Sequence, residues 1–363
     1  MAKKLSTDRT LFVIAIALLG LGQLMVWSAS SALAQEKYGN SYHVLVRQLV
    51  CAVVGMGLLL AVMRLDYRKL NRRDVVFSVA IVTTLLLVSV LFLPPVNDAR
   101  RWIRLMGVSF QPSELAKLSA ILFLAYHIDR KGDRINDLSA SVFPAFVFLG
   151  WLAYLIYIEP DLGTAATIVV IGAVMLFLAG LRLRYFAVFG VVGLAWLCQA
   201  ILFMPFRRER MLSYLNPFAD ARGAGYQVIQ SLIAVGTGGV TGVGLMEGRQ
   251  KLSYLPYPSS DFIYAVICEE LGLIGALAVV LAFLLLLWRG TRAALHAPDR
   301  FGMFLAQGLT CAIVIQALTN VSVVLGLVPT KGIPLPFISA GGTSLILTLV
   351  ATGLILSVSQ HAD

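Results

Sequence analysis

Apolar segments separated by short polar stretches follow one another along almost the whole chain. Most are close to the roughly 20 residues that a helix needs to cross a bilayer. The pattern predicts an all-α polytopic membrane protein, formed by a single domain over residues 1–363, with about ten transmembrane helices. The predicted spans are 11–34, 44–63, 75–94, 113–128, 141–158, 163–180, 184–205, 262–288, 302–327 and 341–360. The fourth span is short because its apolar run is interrupted by Glu114 and Lys117.

The composition supports this interpretation. Hydrophobic residues make up 59% of the chain and charged residues 13%, whereas soluble domains carry about 25% charged residues. The surplus apolar surface must therefore face lipid. The net charge of +10 lies largely in short loops, so it does not predict a nucleic-acid partner. The four cysteines lie in apolar runs without CxxC spacing and the histidines are scattered, which predicts neither a disulfide nor a metal site.

The basic residues of the loops predict the orientation. With the N-terminus inside, the inside segments hold 16 lysines and arginines and the short outside loops hold five. Positive charge accumulates on the cytoplasmic side of membrane proteins, so both termini are predicted to be cytoplasmic. One outside loop, 97–104, is nonetheless basic. Its charges indicate either anchoring in the lipid headgroups or an anionic ligand at the outer surface.

Segment 206–261, between predicted helices 7 and 8, is the one long extracytoplasmic loop in this topology. Its length exceeds what a passive connection needs. The moderately apolar stretch 226–235 inside it predicts a short re-entrant or interfacial helix. Asp261 ends this loop and immediately precedes the eighth span. The position suits either a helix cap or a general base at the outer face.

Ionisable residues inside predicted spans are costly and mark sites of function or close packing. Glu114 and Lys117 are three residues apart and share a helix face. They form either a structural ion pair, or a site in which Lys117 faces a phosphate in a cavity. Glu269 lies about 12 Å deeper than Asp261 at helical rise, and Glu270 projects to the opposite helix face. Neither glutamate is expected to share the position of Asp261.

Several motifs resemble those of the SEDS family, which contains FtsW, RodA and SpoVE. The matching segments are 97–105, 109–117, 159–163, 225–231, 261–272 and 320–344. Residues 329–332 resemble the FtsW and SpoVE type and residues 332–336 the RodA type. Of these, the FtsW-like branch is favoured.

The resemblance implies a peptidoglycan glycosyltransferase in the bacterial cytoplasmic (inner) membrane. It would polymerise lipid II on the outer face and release undecaprenyl pyrophosphate, for cell division or cell shape. The implied partners are a class B penicillin-binding protein transpeptidase and other divisome or elongasome proteins. The resemblance also implies Mg²⁺ or Mn²⁺ as a cofactor. The sequence shows no dedicated set of oxygen ligands for such an ion, so no metal ligand is predicted.

The family's catalytic aspartate falls on Asp261. The predicted substrate-binding residues are Asn97, Arg101, Gln111, Glu114, Lys117, Lys331 and Ser339. The predicted supporting residues are Glu269, Glu270, Gly341 and Gly342. Two other classes of function suit the same pattern: a lipid II flippase and a non-catalytic scaffold of a cell-wall complex. Of the three, only the glycosyltransferase needs Asp261 as a base.

Overall fold

The fold is given by a computed structural model, which describes residues 7–95, 100–105, 108–223, 225–252 and 254–361. These residues form twelve α-helices and one two-stranded antiparallel hairpin. The helices are α1 (Arg9–Tyr38), α2 (His43–Arg64), α3 (Arg73–Leu91), α4 (Pro112–Lys131), α5 (Phe143–Ile158), α6 (Leu162–Leu178), α7 (Leu183–Leu202), α8 (Pro205–Leu215), α9 (Tyr226–Thr237), α10 (Ile263–Leu295), α11 (Arg300–Val324) and α12 (Gly342–Ser359). The strands are β1 (Ile103–Leu105) and β2 (Val108–Phe110).

The chain is an all-α polytopic membrane protein, as the hydropathy pattern predicts. Each of the ten predicted segments coincides with a helix. Eight helices of the described part are long and apolar enough to cross a bilayer, when α5 is counted together with the π-helical turn Leu138–Val142 that precedes it. The other two are α4, which carries Glu114 and Lys117, and α6, which has 17 residues. Helix α10 continues to Leu295, beyond the predicted end at residue 288.

The helices and strands outside the apolar spans were predicted only in part. Helix α9 covers the stretch for which a short helix was predicted, and α8 lies in the same long segment. The hairpin β1–β2 was not predicted, because strands of three residues are too short to show an alternating pattern. The predicted site residue Asn97 lies outside the described residues.

Helix α11 occupies the centre of the bundle, where it packs against α4, α6, α10 and α12. Helix α12 also packs along α2. A Cβ at Gly353 of α12 would lie 2.8 Å from the backbone oxygen of Leu59 in α2, so only glycine allows this approach. In lipid no hydrophobic force drives helices together, so close packing depends on small residues where the helices cross. Helix α7, by contrast, is mostly exposed to its surroundings.

Helix α10 is interrupted at Gly272, whose φ of 63° and ψ of −163° break the helical ladder. Unpaired backbone groups are costly in a membrane. Segment 238–244 supplies partners for the groups released on both sides of the break. The bonds run from Val243 N to Glu269 O (3.0 Å), Gly244 N to Glu270 O (3.1 Å), Leu273 N to Gly239 O (3.0 Å) and Ile274 N to Val240 O (3.2 Å). The long loop is therefore part of the helix bundle at this point.

The two glutamates before the break bind the same loop with their side chains. Glu269 accepts hydrogen bonds from the backbone amides of Arg249 and Gln250, at 2.8 and 3.1 Å from Oε1. Glu270 forms a buried ion pair with Lys251, with 2.6 Å between Oε1 and Nζ. Ser28 of α1 donates to the Glu270 carboxylate as well. Both glutamates thus anchor the segment that follows α9 to the core.

Candidate active site

A cavity of about 310 Å³ opens at the start of α6, beside α8. Its walls come from the loop before β1, the turn between α5 and α6, α7, α8 and the loop between α11 and α12. The lining residues are Arg101, Pro160, Asp161, Leu162, Gly163, Leu197, Arg207, Arg210, Met211, Pro329, Thr330, Lys331, Gly332 and Ile333. Four of these carry a positive charge and one carries a carboxylate, so the cavity suits an anion.

Asp261 lies directly behind one wall of this cavity. A Cβ added at Gly332 would be 2.8 Å from Asp261 Oδ2, which shows that the loop backbone rests on the carboxylate. Burial raises the pKa of Asp261 to about 6, while a hydrogen bond from Ser260 and the charges of Arg210 and Arg101 oppose the rise. A carboxylate with a pKa near 6 is ionised at neutral pH and still basic enough to accept a proton.

The cations are held by different elements. Arg101 donates from Nε to the carbonyl oxygen of Glu159 at 3.0 Å, and from Nη2 to that of Pro160. The guanidinium carbon of Arg207 lies 4.5 Å from the centre of the Tyr157 ring. Burial lowers the pKa of Lys331, and its largest opposing influence is Asp161. The contacts of Arg101 and Arg207 orient these two guanidinium groups before any ligand binds.

The turn between α5 and α6 places two carboxyl groups beside the cavity. Asp161 caps α6, because its side chain accepts from the Thr164 amide at 3.1 Å and the Thr164 hydroxyl at 2.8 Å. Glu159 is fully buried and neither of its carboxylate oxygens has a hydrogen-bond partner. Burial, with a smaller contribution from Asp161, raises the pKa of Glu159 to about 8. Glu159 is therefore mainly protonated at neutral pH.

The structure brings together three of the predicted site residues: Arg101 and Lys331 line the cavity, and Asp261 lies against it. Gln111 is close by, with 3.4 Å between its Nε2 and Asp161 Oδ2. Ser339 touches the backbone of the Asp261 segment, because its hydroxyl donates to the carbonyl oxygen of Ser260 at 2.6 Å.

Other predicted residues lie elsewhere in the bundle. Glu114 and Lys117 form a buried ion pair on α4, with 2.8 Å between Oε1 and Nζ, and neither lines the cavity. Gly341 and Gly342 form the start of α12, where a Cβ at Gly342 would meet the sulfur of Cys51 at 2.9 Å. Gly342 therefore serves packing, whereas a Cβ at Gly341 would make only an ordinary contact with Ser344, at 3.7 Å.

Sequence reasoning missed several charged groups of the site. Arg207 and Arg210 are three residues apart and share one face of α8. That spacing is visible in the sequence, but without a predicted helix it does not single out two arginines in a long loop. Glu159 and Asp161 lie in a segment that resembles a family motif, yet the contact of Arg101 with the backbone of Glu159 and Pro160 depends on the fold.

The described residues do not fit a dedicated divalent-cation site. No three His, Cys, Asp or Glu side chains among them lie close enough together to hold a metal ion. The cavity itself offers four cations, which repel a metal ion in the absence of an anionic ligand. Dependence on Mg²⁺ or Mn²⁺ stays a prediction from resemblance, and no step below uses it.

Comparison with known proteins shows which family the chain resembles. Residues 9–363 match the family model FTSW_RODA_SPOVE, described as "Cell cycle protein". The "Probable peptidoglycan glycosyltransferase FtsW" of Geobacter sulfurreducens is 43% identical over 98% of this chain and 95% of the relative. "Stage V sporulation protein E" of Bacillus subtilis is 42% identical over 99% of both chains.

Solved structures with a similar fold support the same family. A chain from "Structural coordination of polymerization and crosslinking by a peptidoglycan synthase complex" superposes with a TM-score of 0.80 at 31% identity, covering 98% of each chain. The rod shape determining protein RodA of Thermus thermophilus superposes with a TM-score of 0.72 at 27% identity, covering 98% of this chain and 97% of that one. The chain therefore belongs to the FtsW, RodA and SpoVE family, known as SEDS, and is FtsW-like.

Proposed function

We propose that this FtsW-like chain is a peptidoglycan glycosyltransferase that polymerises lipid II into glycan strands and releases undecaprenyl pyrophosphate, in cell division or cell shape. The observation that carries the proposal is the Asp261 carboxylate, which lies against a cavity lined by four cations. A base beside a site for an anionic leaving group is what glycosyl transfer from a diphosphate requires. The curated relatives named as such enzymes support it.

Asp261 would act as the general base. The attacking group is a sugar hydroxyl of the acceptor, which is a weak nucleophile until its proton is removed. As the proton passes to Asp261, the oxygen forms a bond to the anomeric carbon of the donor. The bond from that carbon to the phosphate oxygen breaks, and its electron pair leaves with the diphosphate. Both substrates are confined to the membrane plane, which reduces the entropic cost of bringing them together.

The leaving diphosphate develops negative charge as the bond breaks. Arg101, Arg207, Arg210 and Lys331 surround the space in which that charge would appear. Because the protein already orients Arg101 and Arg207, these two groups would stabilise the transition state without reorganising. Arginine can bind two phosphate oxygens at once through its planar fork, whereas Lys331 acts as a point charge.

The setting of the reaction follows from the same proposal. The chain is a multi-pass membrane protein, and we place it in the bacterial cytoplasmic membrane with both termini in the cytoplasm and the cavity at the outer face. A class B penicillin-binding protein transpeptidase is the proposed partner, within the divisome or elongasome. Support comes from the similar chain in a peptidoglycan synthase complex and from the basic residues of the predicted inside loops.

The test is polymerisation of labelled lipid II by purified protein in lipid, with the transpeptidase partner, for wild type and Asp261→Asn. Asparagine keeps the size of the side chain and removes the base. We expect wild type to make glycan strands and Asp261→Asn to lose at least about a hundredfold in rate. Asp220→Asn is the matched control, because Asp220 is an exposed carboxylate of the same long loop.

Two results would count against the proposal. Equal polymerisation by wild type and Asp261→Asn would show that Asp261 is not the base; the side chain does not cap α10 either, because the N-cap residue is Phe262 and makes no side-chain capping bond. Transbilayer movement of lipid II by wild type without polymerisation would favour a flippase. The pH profile gives a further check: the rate should rise with pH through about 6, the pKa of Asp261, and then level off.

A further inference from the structure

Helix α11 carries two buried amide side chains that the mechanism above does not use. Gln316 is 4% exposed and Asn320 is 1% exposed. They are four residues apart, so they project from the same face of the helix. Buried amides are costly unless their polar atoms are bonded. The partners of these two amides therefore indicate why they are there.

Asn320 joins two separate parts of the candidate active site. Its Nδ2 donates to the backbone oxygen of Asp261 at 2.8 Å and to the backbone oxygen of Ile333 at 2.8 Å. Both hydrogens of the amide are thus used on carbonyl groups, which fixes the orientation of the side chain, while its buried Oδ1 has no hydrogen-bond partner among the described residues. One residue of α11 ties the segment carrying the base to the loop carrying Lys331.

Gln316 holds the same loop at Pro334, the residue after Ile333. Its Nε2 donates to the backbone oxygen of Pro334 at 2.8 Å. Its Oε1 accepts from Lys117, which also pairs with Glu114. A lysine ammonium only donates, so it takes the amide oxygen and leaves the amide hydrogens for Pro334. The intramembrane ion pair of α4 therefore orients Gln316.

The loop held in this way rests on the base itself. Gly332 lines the cavity and also touches the Asp261 carboxylate, with 2.8 Å between its would-be Cβ and Asp261 Oδ2. At the far end of the loop, the Ala340 amide donates to the backbone oxygen of Ser259 at 2.8 Å. The loop is thus attached to the Asp261 segment at both ends, and Asn320 makes the attachment nearest to Lys331.

We infer that Asn320, with Gln316 beside it, is a positioning residue that fixes the Lys331 loop against Asp261 and thereby sets the distance between base and cation. In this arrangement the pair Glu114–Lys117 acts on the site through Gln316 and not by direct contact with phosphate. The catalytic consequence rests on the proposed function. The structural consequence, that Asn320 holds the loop in place, does not depend on the proposed function.

The first experiment measures the loop without using activity. Thr330 lines the cavity, but only 4% of it is exposed in the held loop, and Thr330→Cys places a thiol there. Its rate of modification by the anionic, membrane-impermeant reagent methanethiosulfonate ethylsulfonate reports opening of the loop. Asn320→Leu removes two hydrogen bonds of ordinary net strength, so the rate should rise about 10- to 30-fold.

The control is Thr319→Val, which removes a hydroxyl bonded within α11 to Ile315, on the residue next to Asn320. It should leave the labelling rate unchanged within about twofold. The chain without Thr330→Cys gives the background from the four native cysteines. Equal labelling of the Asn320→Leu and Thr319→Val proteins would overturn the inference, whatever the chain catalyses.

The second experiment measures kcat and KM for lipid II polymerisation. A displaced base lowers the rate of the chemical step more than it weakens binding. Asn320→Leu should therefore lower kcat about tenfold to a hundredfold and change KM less than about twofold. A raised KM with unchanged kcat would contradict the positioning role. If wild type makes no glycan while labelling behaves as expected, the proposed function fails and the held loop stands.

Discussion

Glu159 gives the sharpest quantitative prediction, because its carboxyl group is fully buried without a hydrogen-bond partner. The perturbation is Glu159→Gln, which is isosteric with the protonated acid. In the folded protein the pKa of Glu159 is raised from 4.5 to about 8. Between these values the unfolded chain has lost a proton that the folded chain keeps. Stability therefore falls as pH rises through this window and levels off above about pH 8.

The size of the effect follows from the same shift. A rise in pKa from 4.5 to about 8 corresponds to on the order of 5 kcal/mol lost from pH 4.5 to pH 8 and above. Structural relaxation around the charge reduces this to roughly 3 to 5 kcal/mol. For a chain of this length such a difference moves the unfolding midpoint by about 4 to 7 °C. Glutamine does not ionise, so the variant should escape this loss.

The assay is thermal unfolding of purified protein in detergent from pH 5 to pH 9. We expect wild type and Glu159→Gln to melt together near pH 5, and Glu159→Gln to melt higher at pH 9. Glu209→Gln is the control, because Glu209 is an exposed glutamate of α8. If Glu159→Gln follows wild type at every pH, the carboxyl group is ionised and paired, and the reasoning from burial is refuted.

Three more predictions concern the anchor and the cavity. Lys251→Met leaves the charge of Glu270 buried without its partner and should lower stability by about 3 to 5 kcal/mol. Adding Glu270→Leu should restore most of this loss. The measurement is the thermal unfolding midpoint of wild type, Lys251→Met and the double variant. Gly332→Ala places a methyl group 2.8 Å from Asp261 Oδ2 and should lower kcat for polymerisation at least about tenfold with little change in thermal midpoint; unchanged kcat would show that the loop yields. Arg207→Ala removes one cation from the cavity and should lower kcat/KM about tenfold to a hundredfold. It should also weaken inhibition by undecaprenyl pyrophosphate. A loss of rate with unchanged inhibition would place Arg207 away from the diphosphate.

Hydropathy predicted the helices well because lipid imposes one rule on every span: apolar side chains outside and backbone groups paired within. The same rule says nothing about features stabilised by particular contacts. The break at Gly272 lies inside a predicted span, after Glu269 and Glu270, and depends on a loop more than 25 residues earlier in the chain. The hairpin before α4 and the exact end of α10 also depend on neighbours.

The candidate site was predicted in part. Asp261 and Lys331 stand out because charged residues at the ends of apolar spans are few, and Arg101 because a basic outer loop violates the charge rule. Lys117 also stands out by its depth, but the sequence cannot tell whether a buried lysine faces a cavity or a neighbouring helix. The structure shows that it faces Gln316 of α11. An asparagine such as Asn320 gives no charge signal at all, so its role depends on the fold.

The interruption of α10 also constrains the order in which the chain assembles. Segment 238–244, which pairs with the break, is synthesised before the helix that it completes. When α10 enters the bilayer, its missing backbone partners already exist and need only dock. A chain with the reverse order would leave amides and carbonyls unpaired in hydrocarbon until the loop appeared. The amides of residues 243, 244, 273 and 274 should consequently exchange with solvent hydrogen as one cooperative unit that spans loop and helix.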